Sequence, residues 1–455
     1  MFRRIQQIHL VGIGGAGMSG IAEVLINLGY RVTGSDQVET ETTRRIRKSG
    51  GTVFIGHASS QVVGAQVVVV SSAIDRDNPE IVEAKRLKIP VIPRAEMLAE
   101  LMRLKYGVAV AGSHGKTTTT SMIATVLATA GLDPTAVIGG KLNLFGGHSK
   151  LGQGNILVAE ADESDGSFLR LSPAIAVITN IDREHLDFYR NVEQIKDAFR
   201  QFCDKIPFYG CVVIGLDDPV SASLLPDLQK RVMTFGVEER SDIRASAVEF
   251  REWKTEFEVA ARGEFLGTFS LRVPGIHNVR NALSAIAVGL ELDVDLALIR
   301  KGLSEFGGVD RRFQLVGERK EILVVDDYGH HPSEIRATLA AAREGWKRRL
   351  VVMFQPHRYT RTRDLAEEFA NAFDLADLLI VTDIYGAGEK PIPGISSESL
   401  CEMIRRHTGP RTLYLPRNTD WARHVIPLLE KGDLFLTLGA GDIWKAGQEI
   451  YKCLT

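Results

Sequence analysis

No window of this 455-residue chain approaches the ~18 uninterrupted apolar residues of a helical membrane span. Cysteine is scarce. Cys203, Cys211, Cys401 and Cys453 lie far apart without pairing or metal-type spacing, which excludes a disulfide framework and leaves buried or incidental thiols in a reducing compartment. An excess of one charge is missing too: the formal net charge is −2, so there is no footprint for nucleic acid or a membrane surface. Short repeats and low-complexity tracts are absent. The basic start Met1-Phe2-Arg3-Arg4 could mimic a leader peptide, but Gln6, Gln7 and His9 interrupt the stretch after it, so the cytoplasm is the expected location.

The length calls for two to four domains, and the 44% apolar and 25% charged fractions are those of a water-soluble globular chain. Three α/β blocks are expected. In the first, 1–105, strand-like runs at 8–13, 30–34, 53–55 and 67–71 alternate with helical patterns at 17–28, 40–48 and 79–87, which predicts a parallel sheet with right-handed crossovers. The second, 106–312, has strand-like runs at 156–161, 175–181 and 212–216, a hairpin-like stretch at 254–273 and an amphipathic helix over 277–292. The third, 313–455, has strands at 322–326, 350–354, 378–382 and 434–438 with helices between.

Residues 107–119 are an apolar run breaking into Gly112-Ser113-His114-Gly115-Lys116-Thr117-Thr118. Glycine lets backbone N–H groups close on phosphate oxygens. The Lys116 ammonium reaches the outer phosphates, the Thr117 hydroxyl is placed for Mg²⁺, and a following helix aims its positive end at the anion. A nucleoside triphosphate is the expected ligand, although Val110 stands where the full pattern has glycine. Gly12-Ile13-Gly14-Gly15-Ala16-Gly17 likewise follows a strand and opens a helix, with Asp36 closing the next strand. That is a dinucleotide fingerprint, placing Asp36 near a ribose. By itself it favours NAD; beside an ATP-type loop it suits another diphosphate, such as a nucleotide sugar, because hydride transfer has no use for ATP hydrolysis.

Glu160-Ala161-Asp162-Glu163-Ser164-Asp165 ends a strand in carboxylates, a common way to hold Mg²⁺ opposite a phosphate, with Glu160 nearest the strand. Asn180-Ile181-Asp182 and His185 end the next, so His185 and Glu160 could face one pocket. Asn278 and Asn281 share a helix face and suit either an adenine edge or a helix cap. Arg311-Arg312 could form an interdomain ion pair or reach a triphosphate. His330-His331, after Asp327-Tyr328, invites a metal reading, and His357-Arg358 with Arg361 makes a cation-dense loop at another strand end.

Together, in this order, the motifs resemble the Mur ligase family, the amide ligases that build the peptide stem of the bacterial cell wall, and most closely its alanine-adding members. The resemblance spans essentially the whole chain and accounts for Val110, since the family's phosphate loop is incomplete. It implies a Rossmann-like UDP-sugar-binding domain (1–105), a central P-loop ATPase-type domain with a parallel or mixed sheet (106–312), and a C-terminal Rossmann-like amino-acid-binding domain (313–455). The implied substrates are UDP-N-acetylmuramate, L-alanine and ATP, with Mg²⁺. Gly14, Gly15, Ala16, Gly17, Asp36, Ser71 and Ser72 would take the UDP-sugar. Gly112 to Thr118, Asn278, Asn281, Arg312 and Asp327 would bind ATP. Thr117, Glu160 and His185 would hold metal, and Lys116, Glu160, His185, Arg312 and Asp327 would carry catalysis. Tyr328, His330, Arg358 and Arg361 would form the amino-acid pocket. Sister ligases bridge metals with a carbamylated lysine. Here 197–200 has none, although Lys196 is near, and the alanine-adding members also do without it. The rival readings are a recycling ligase that attaches a whole peptide to the same sugar, a nucleotide-gated switch and a dehydrogenase.

Overall fold

The apolar runs become strands buried on both faces, as parallel sheets covered by helices require. The computed structural model describes residues 5–71, 73–142, 147–150, 152–184, 188–237, 240–407, 409–417 and 419–454, and among these it forms three sheets. The first contains β1 (Gln7–Val11), β2 (Arg31–Asp36), β3 (Thr52–Ile55), β4 (Val67–Val70) and β5 (Val91–Pro93), all parallel in the order β3-β2-β1-β4-β5. Helices α1 (Ala16–Asn27), α2 (Glu41–Lys48), α3 (Pro79–Arg86) and α4 (Arg94–Met102) join them. Thr40 closes a capping box on α2, and Asn78 caps α3 ahead of Pro79 at its first position. The order reverses between β1 and β4, so the crevice beyond their carboxyl ends is where a ligand settles.

The second sheet is built from β6 (Tyr106–Ala111), β7 (Thr135–Leu142), β8 (Gly147–Lys150), β9 (Ile156–Glu160), β10 (Ile175–Ile178), β11 (Cys211–Gly215), β12 (Val232–Gly236), β13 (Ile243–Arg251), β14 (Lys254–Ala261) and β15 (Glu264–Leu271). Its order, β15-β14-β13-β12-β11-β10-β6-β9-β7-β8, seats β6 between β9 and β10. The phosphate loop, Glu160 and Asn180 therefore leave neighbouring strands at one edge. Helices α5 (Lys116–Thr129), α6 (Val192–Asp204), α7 (Pro219–Ala222), α8 (Ile276–Glu291) and α9 (Leu296–Glu305) accompany it. Helix α5 is rich in Thr, Ser and Ala because it is buried and closely approached: a Cβ on Gly302 of α9 would stand 2.8 Å from the Val126 Cα. The stretch expected as a hairpin forms the neighbouring strands β14 and β15, and β13, which precedes them, starts Ile-Arg-Ala-Ser with alternating burial.

The third sheet contains β16 (Gln314–Arg319), β17 (Ile322–Asp327), β18 (Leu350–Phe354), β19 (Leu378–Val381), β20 (Arg411–Tyr414) and β21 (Leu434–Leu438), ordered β16-β17-β21-β18-β19-β20. Only β16 runs antiparallel to its neighbour among the pairings described. Successive side chains feed opposite cores: Leu350, Val352 and Phe354 pack with Phe369 and Phe373, while Val351 and Met353 pack with Phe435 and Ile443. Helix α10 (Pro332–Gly345) follows β17. By contacts the chain forms two units. One runs to Ser246 and adds Glu258–Phe269 and Arg280–Phe306; the other takes Ala247–Phe257, Ser270–Val279 and the chain from Gly307. No described helix is long and apolar enough to cross a membrane.

Candidate active site

In the first unit, β1 ends in a loop that only glycine allows. Gly12 has φ +78°, and a Cβ on Gly14 would stand 2.8 Å from the Asp36 Oδ2. Gly12 and Ile13 N–H both donate to the Ser35 carbonyl at 2.9 Å. Asp36 accepts Gly14 N–H at 2.8 Å and Gln37 N–H at 2.8 Å, so the residue expected at a ribose also braces the glycine loop. Gly15 is the N-cap of α1, and Ala16 and Gly17 open that helix. Ser71 lies alongside, its Cβ 3.6 Å from where a Cβ on Gly12 would be. Ser72 lies outside the described residues. A side chain not foreseen, Arg94 at the start of α4, reaches over Gly17, with Nη1 2.6 Å from a Cβ built there. Its Nη2 lies 3.7 Å from the Asp162 Oδ2. A lone arginine carries no motif, and nothing local distinguishes it.

Beyond β6 the phosphate loop turns through Gly112 (φ +132°) and Gly115 (φ +81°). A Cβ at these positions would meet the Thr179 Oγ1 at 2.0 Å and the Asn281 Oδ1 at 2.6 Å. Val110, where glycine was missing from the pattern, is a fully buried strand residue before the loop begins. The end of β10 holds the loop. The Asn180 amide accepts His114 N–H and donates to the His114 carbonyl, both at 3.0 Å. Thr179 Oγ1 donates to that carbonyl at 2.6 Å, Ser113 Oγ accepts Asp182 N–H at 2.8 Å, and the His114 ring meets Asp182 at 2.9 Å.

Lys116 opens α5 and folds over the loop. Its ammonium donates to the Gly112 carbonyl at 2.5 Å, the Ser113 carbonyl at 3.1 Å and the Glu163 Oε1 at 2.9 Å. Burial alone would lower its pKa, but Glu163, Glu184 and Asp162 outweigh that and raise it. Glu163, 1% exposed, is the partner that the acidic run did not single out; Tyr189 Oη donates to its carbonyl at 2.7 Å. Burial would likewise raise the Asp162 pKa, yet Lys116, Ser164 and Arg94 hold it below the usual carboxylate range. Glu160 is half-buried at the end of β9, in register with Val110. Thr117 is half-buried and Thr118 buried on α5, so hydroxyl and carboxylate oxygens stand at adjacent strand ends, the hard-donor chemistry that suits Mg²⁺. His185 lies outside the described residues. Asn281 accepts Thr119 Oγ1–H at 3.1 Å, which sets it against the phosphate loop itself. Lys196 pairs with Glu193 on its own helix at 3.5 Å.

In the second unit, Asn278 is the third residue of α8 and its amide donates to the Pro274 carbonyl at 2.7 Å, so it lies inside the helix and not at its cap. Asp327, 6% exposed at the end of β17, accepts Phe313 N–H and Gly329 N–H at 2.7 Å each and Thr338 Oγ1–H at 3.3 Å. Burial pushes its pKa up to about 6 despite Arg312. Arg312 pairs with Glu334 at 3.2 Å, and both Arg311 (4.9 Å) and Arg312 (5.1 Å) lie over the Tyr328 ring. Glu334 Oε2 accepts His330 N–H at 3.0 Å and His331 N–H at 3.3 Å. His331 is the N-cap of α10, and the His330 ring meets the Tyr328 carbonyl at 3.2 Å. Around His330 gather His357, 5.6 Å away, and Tyr385, stacked on His357 at 5.6 Å. Arg361 lies 3.3 Å from the His357 Nδ1, and Arg358, at φ +70°, donates its N–H to the Tyr385 carbonyl at 2.8 Å. Burial, then His330 and the arginines, push the His357 pKa down to about 3. Tyr385 was not foreseen, since it sits alone after β19.

Three family models match in chain order: "Mur ligase family, catalytic domain" over residues 7–106, "Mur ligase middle domain" over 110–289 and "Mur ligase, glutamate ligase domain" over 311–441. The chain is 57% identical over 454 residues to UDP-N-acetylmuramate–L-alanine ligase of Geotalea uraniireducens, covering 100% of this chain and 99% of that one. It is 57% identical over 450 residues to the enzyme of that name from Geobacter sulfurreducens, covering 98% and 97%. Its fold matches the crystal structure of UDP-N-acetylmuramate–alanine ligase from Thermotoga maritima with a TM-score of 0.81 and 31% identity over 98% of both chains. A murein peptide ligase from Psychrobacter arcticus matches at 0.70 and 26% identity, covering 99% and 98%. The chain belongs to the Mur ligase family.

Proposed function

We infer that this chain is an ATP-dependent ligase that joins L-alanine to the lactyl carboxylate of UDP-N-acetylmuramate, forming ADP and phosphate, in cytoplasmic peptidoglycan precursor synthesis. Identity of 57% to enzymes of that name along the whole chain supports the reading. One geometric observation carries it. Arg94 stands against Gly17 of the first glycine loop on one side and 3.7 Å from Asp162 on the other, a carboxylate whose pKa the Lys116 charge of the second loop helps to lower. A sugar diphosphate on the first loop and a triphosphate on the second thereby share one electrostatic neighbourhood.

The working scheme takes 1–105 as the UDP-sugar-binding domain, 106–312 as the ATP-binding domain and 313–455 as the amino-acid-binding domain. A carboxylate is a poor acyl donor because its leaving group would be oxide. Attack of its oxygen in line on the γ-phosphorus gives an acyl phosphate and ADP, a far better leaving group being installed. The approach is of like charges, which at ~4 Å repel by about 4 kcal/mol even at an effective dielectric of ~20, so cations must offset them. Lys116 supplies one, moving its donors from the Gly112 and Ser113 carbonyls to phosphate oxygens. Thr117, Glu160 and His185 would hold Mg²⁺, which neutralises phosphate charge when bound. Arg312, Asp327 and Asn278 are the residues of the second unit that the family resemblance would assign to ATP binding. The neutral alanine amine then attacks the acyl carbon and phosphate departs. Arg358 and Arg361 suit the amino-acid carboxylate, beside Tyr328, His330 and a His357 kept neutral.

The test is phosphate release across amino acids and a short peptide with UDP-N-acetylmuramate fixed. Release is expected with alanine above all and only when all three substrates are present, hydroxylamine should trap a hydroxamate from ATP and the sugar nucleotide alone, and Lys116→Ala should abolish both signals in a folded protein. Preference for the peptide would favour the recycling ligase, and release independent of the sugar nucleotide would defeat the proposal.

A further inference from the structure

Beneath the glycine loop of the first sheet lies a buried polar cluster that the ligation scheme does not use. His9, Ser35 and Glu80 are 0% exposed and Thr33 is 5% exposed, whereas the His57 side chain is 14% exposed. Glu80 is the second residue of α3. Its Oε1 accepts from His9 Nε2 at 3.0 Å, and its Oε2 accepts from Ser35 Oγ at 2.6 Å and faces His57 Nδ1 at 2.7 Å. The other His9 nitrogen meets Thr33 Oγ1 at 2.8 Å. One carboxylate thus ties together β1, β2, the segment after β3 and the start of α3. Burial by itself would raise its pKa, but the His9, Ser35 and His57 hydrogen bonds prevail and lower it.

A buried carboxylate is a poor way to gain stability, since apolar residues of similar volume serve as well or better; its use is to impose geometry. The geometry imposed here is that of the loop. Ser35, fastened by its hydroxyl to Glu80, offers its carbonyl to Gly12 and Ile13 N–H at 2.9 Å. The next residue, Asp36, accepts Gly14 N–H at 2.8 Å, and its own carbonyl accepts Gly56 N–H, the neighbour of His57, at 2.8 Å. Glu80 therefore holds Asp36 from two directions, through Ser35 before it and through His57, whose neighbour Gly56 bonds the Asp36 carbonyl. These internal bonds fix the loop's path, and the loop in turn sets where the N-terminal end of α1, with N–H groups that have no partner within the helix, points.

We propose that Glu80 is a positioning residue for the sugar nucleotide, acting through Ser35, His57 and Asp36 to hold the Gly12–Gly15 loop in the shape that presents the N-terminal end of α1 to the diphosphate. This rests on the reading of that loop as the UDP-sugar site. The experiment is steady-state kinetics of full-length Glu80→Gln and His57→Ala, with calorimetric binding of UDP-N-acetylmuramate and, separately, ADP. Both variants should raise KM for the sugar nucleotide, about tenfold for Glu80→Gln, while kcat and KM for ATP and alanine stay within about twofold. An unchanged KM for the sugar nucleotide in both, or a parallel rise for all three substrates, overturns the proposal. Should Glu80→Gln melt below the assay temperature, His57→Ala, at a partly exposed position, gives the same reading. Wild-type protein that binds ADP and not UDP-N-acetylmuramate overturns the functional reading and this one with it; wild-type binding of both ligands, with no change in the variants, overturns this one alone.

Discussion

Asp327 shows how one side chain couples the second unit to pH. Its carboxylate, with a pKa pushed by burial to about 6, takes two peptide N–H groups, one from Phe313 beside Arg312. Those donors favour the ionised form, so nucleotide-dependent turnover is expected to fall on the acid side with a midpoint near 6, and Asp327→Asn should remove that limb from the rate profile. Stability runs the other way. A folded pKa above the ordinary aspartate value of 3.8 means that the fold binds the proton more tightly. That contribution is complete below about pH 4 and lost as pH rises through 6, so the stability of wild type relative to Asp327→Asn should decline over that window in melts. At this scale the motif residues were legible because glycine, lysine and carboxylate at fixed spacing have few other uses. Glu163 was not: it lies three residues past the strand end, and only the fold-back of Lys116 selects it over Glu160.

At the scale of elements, the carboxyl end of β10 acts as a brace for the loop leaving β6. Asn180 holds both polar groups of the His114 peptide, and Thr179 adds a third bond. Two lost hydrogen bonds at ~1 kcal/mol each predict that Asn180→Ala weakens ADP binding about tenfold to thirtyfold, read by calorimetry, without touching the ligand itself. Asn281 on α8 braces the same loop from another direction. Strands with apolar runs were legible from composition, as were helices with caps such as Thr40 and Asn78. The three residues of β5 are too few for a period, and β13 alternates too weakly in hydrophobicity to separate it from a loop.

Across the first unit, two sheets present their glycine loops toward a shared set of charges, with Arg94 from one sheet's last helix facing Asp162 from the other's acidic loop. An ion pair this long and partly exposed contributes little to stability; its value lies in a guanidinium poised for phosphate oxygens. Arg94→Ala should therefore leave the melting temperature nearly unchanged while raising KM for UDP-N-acetylmuramate about tenfold, and an unaltered KM would remove Arg94 from the site.

The sequence by itself determined the α/β class, the two anion loops and their order, because strand–glycine–helix transitions are local: they need backbone freedom at Gly12, Gly112 and Gly115 and an apolar strand before each. Which side chains meet across those loops, Lys116 with Glu163, Arg94 with Gly17 and Asp162, Glu80 with His9, Ser35 and His57, was decided only by tertiary structure. Partners 47 or 71 residues apart are chosen by strand order and helix packing, which no local pattern encodes.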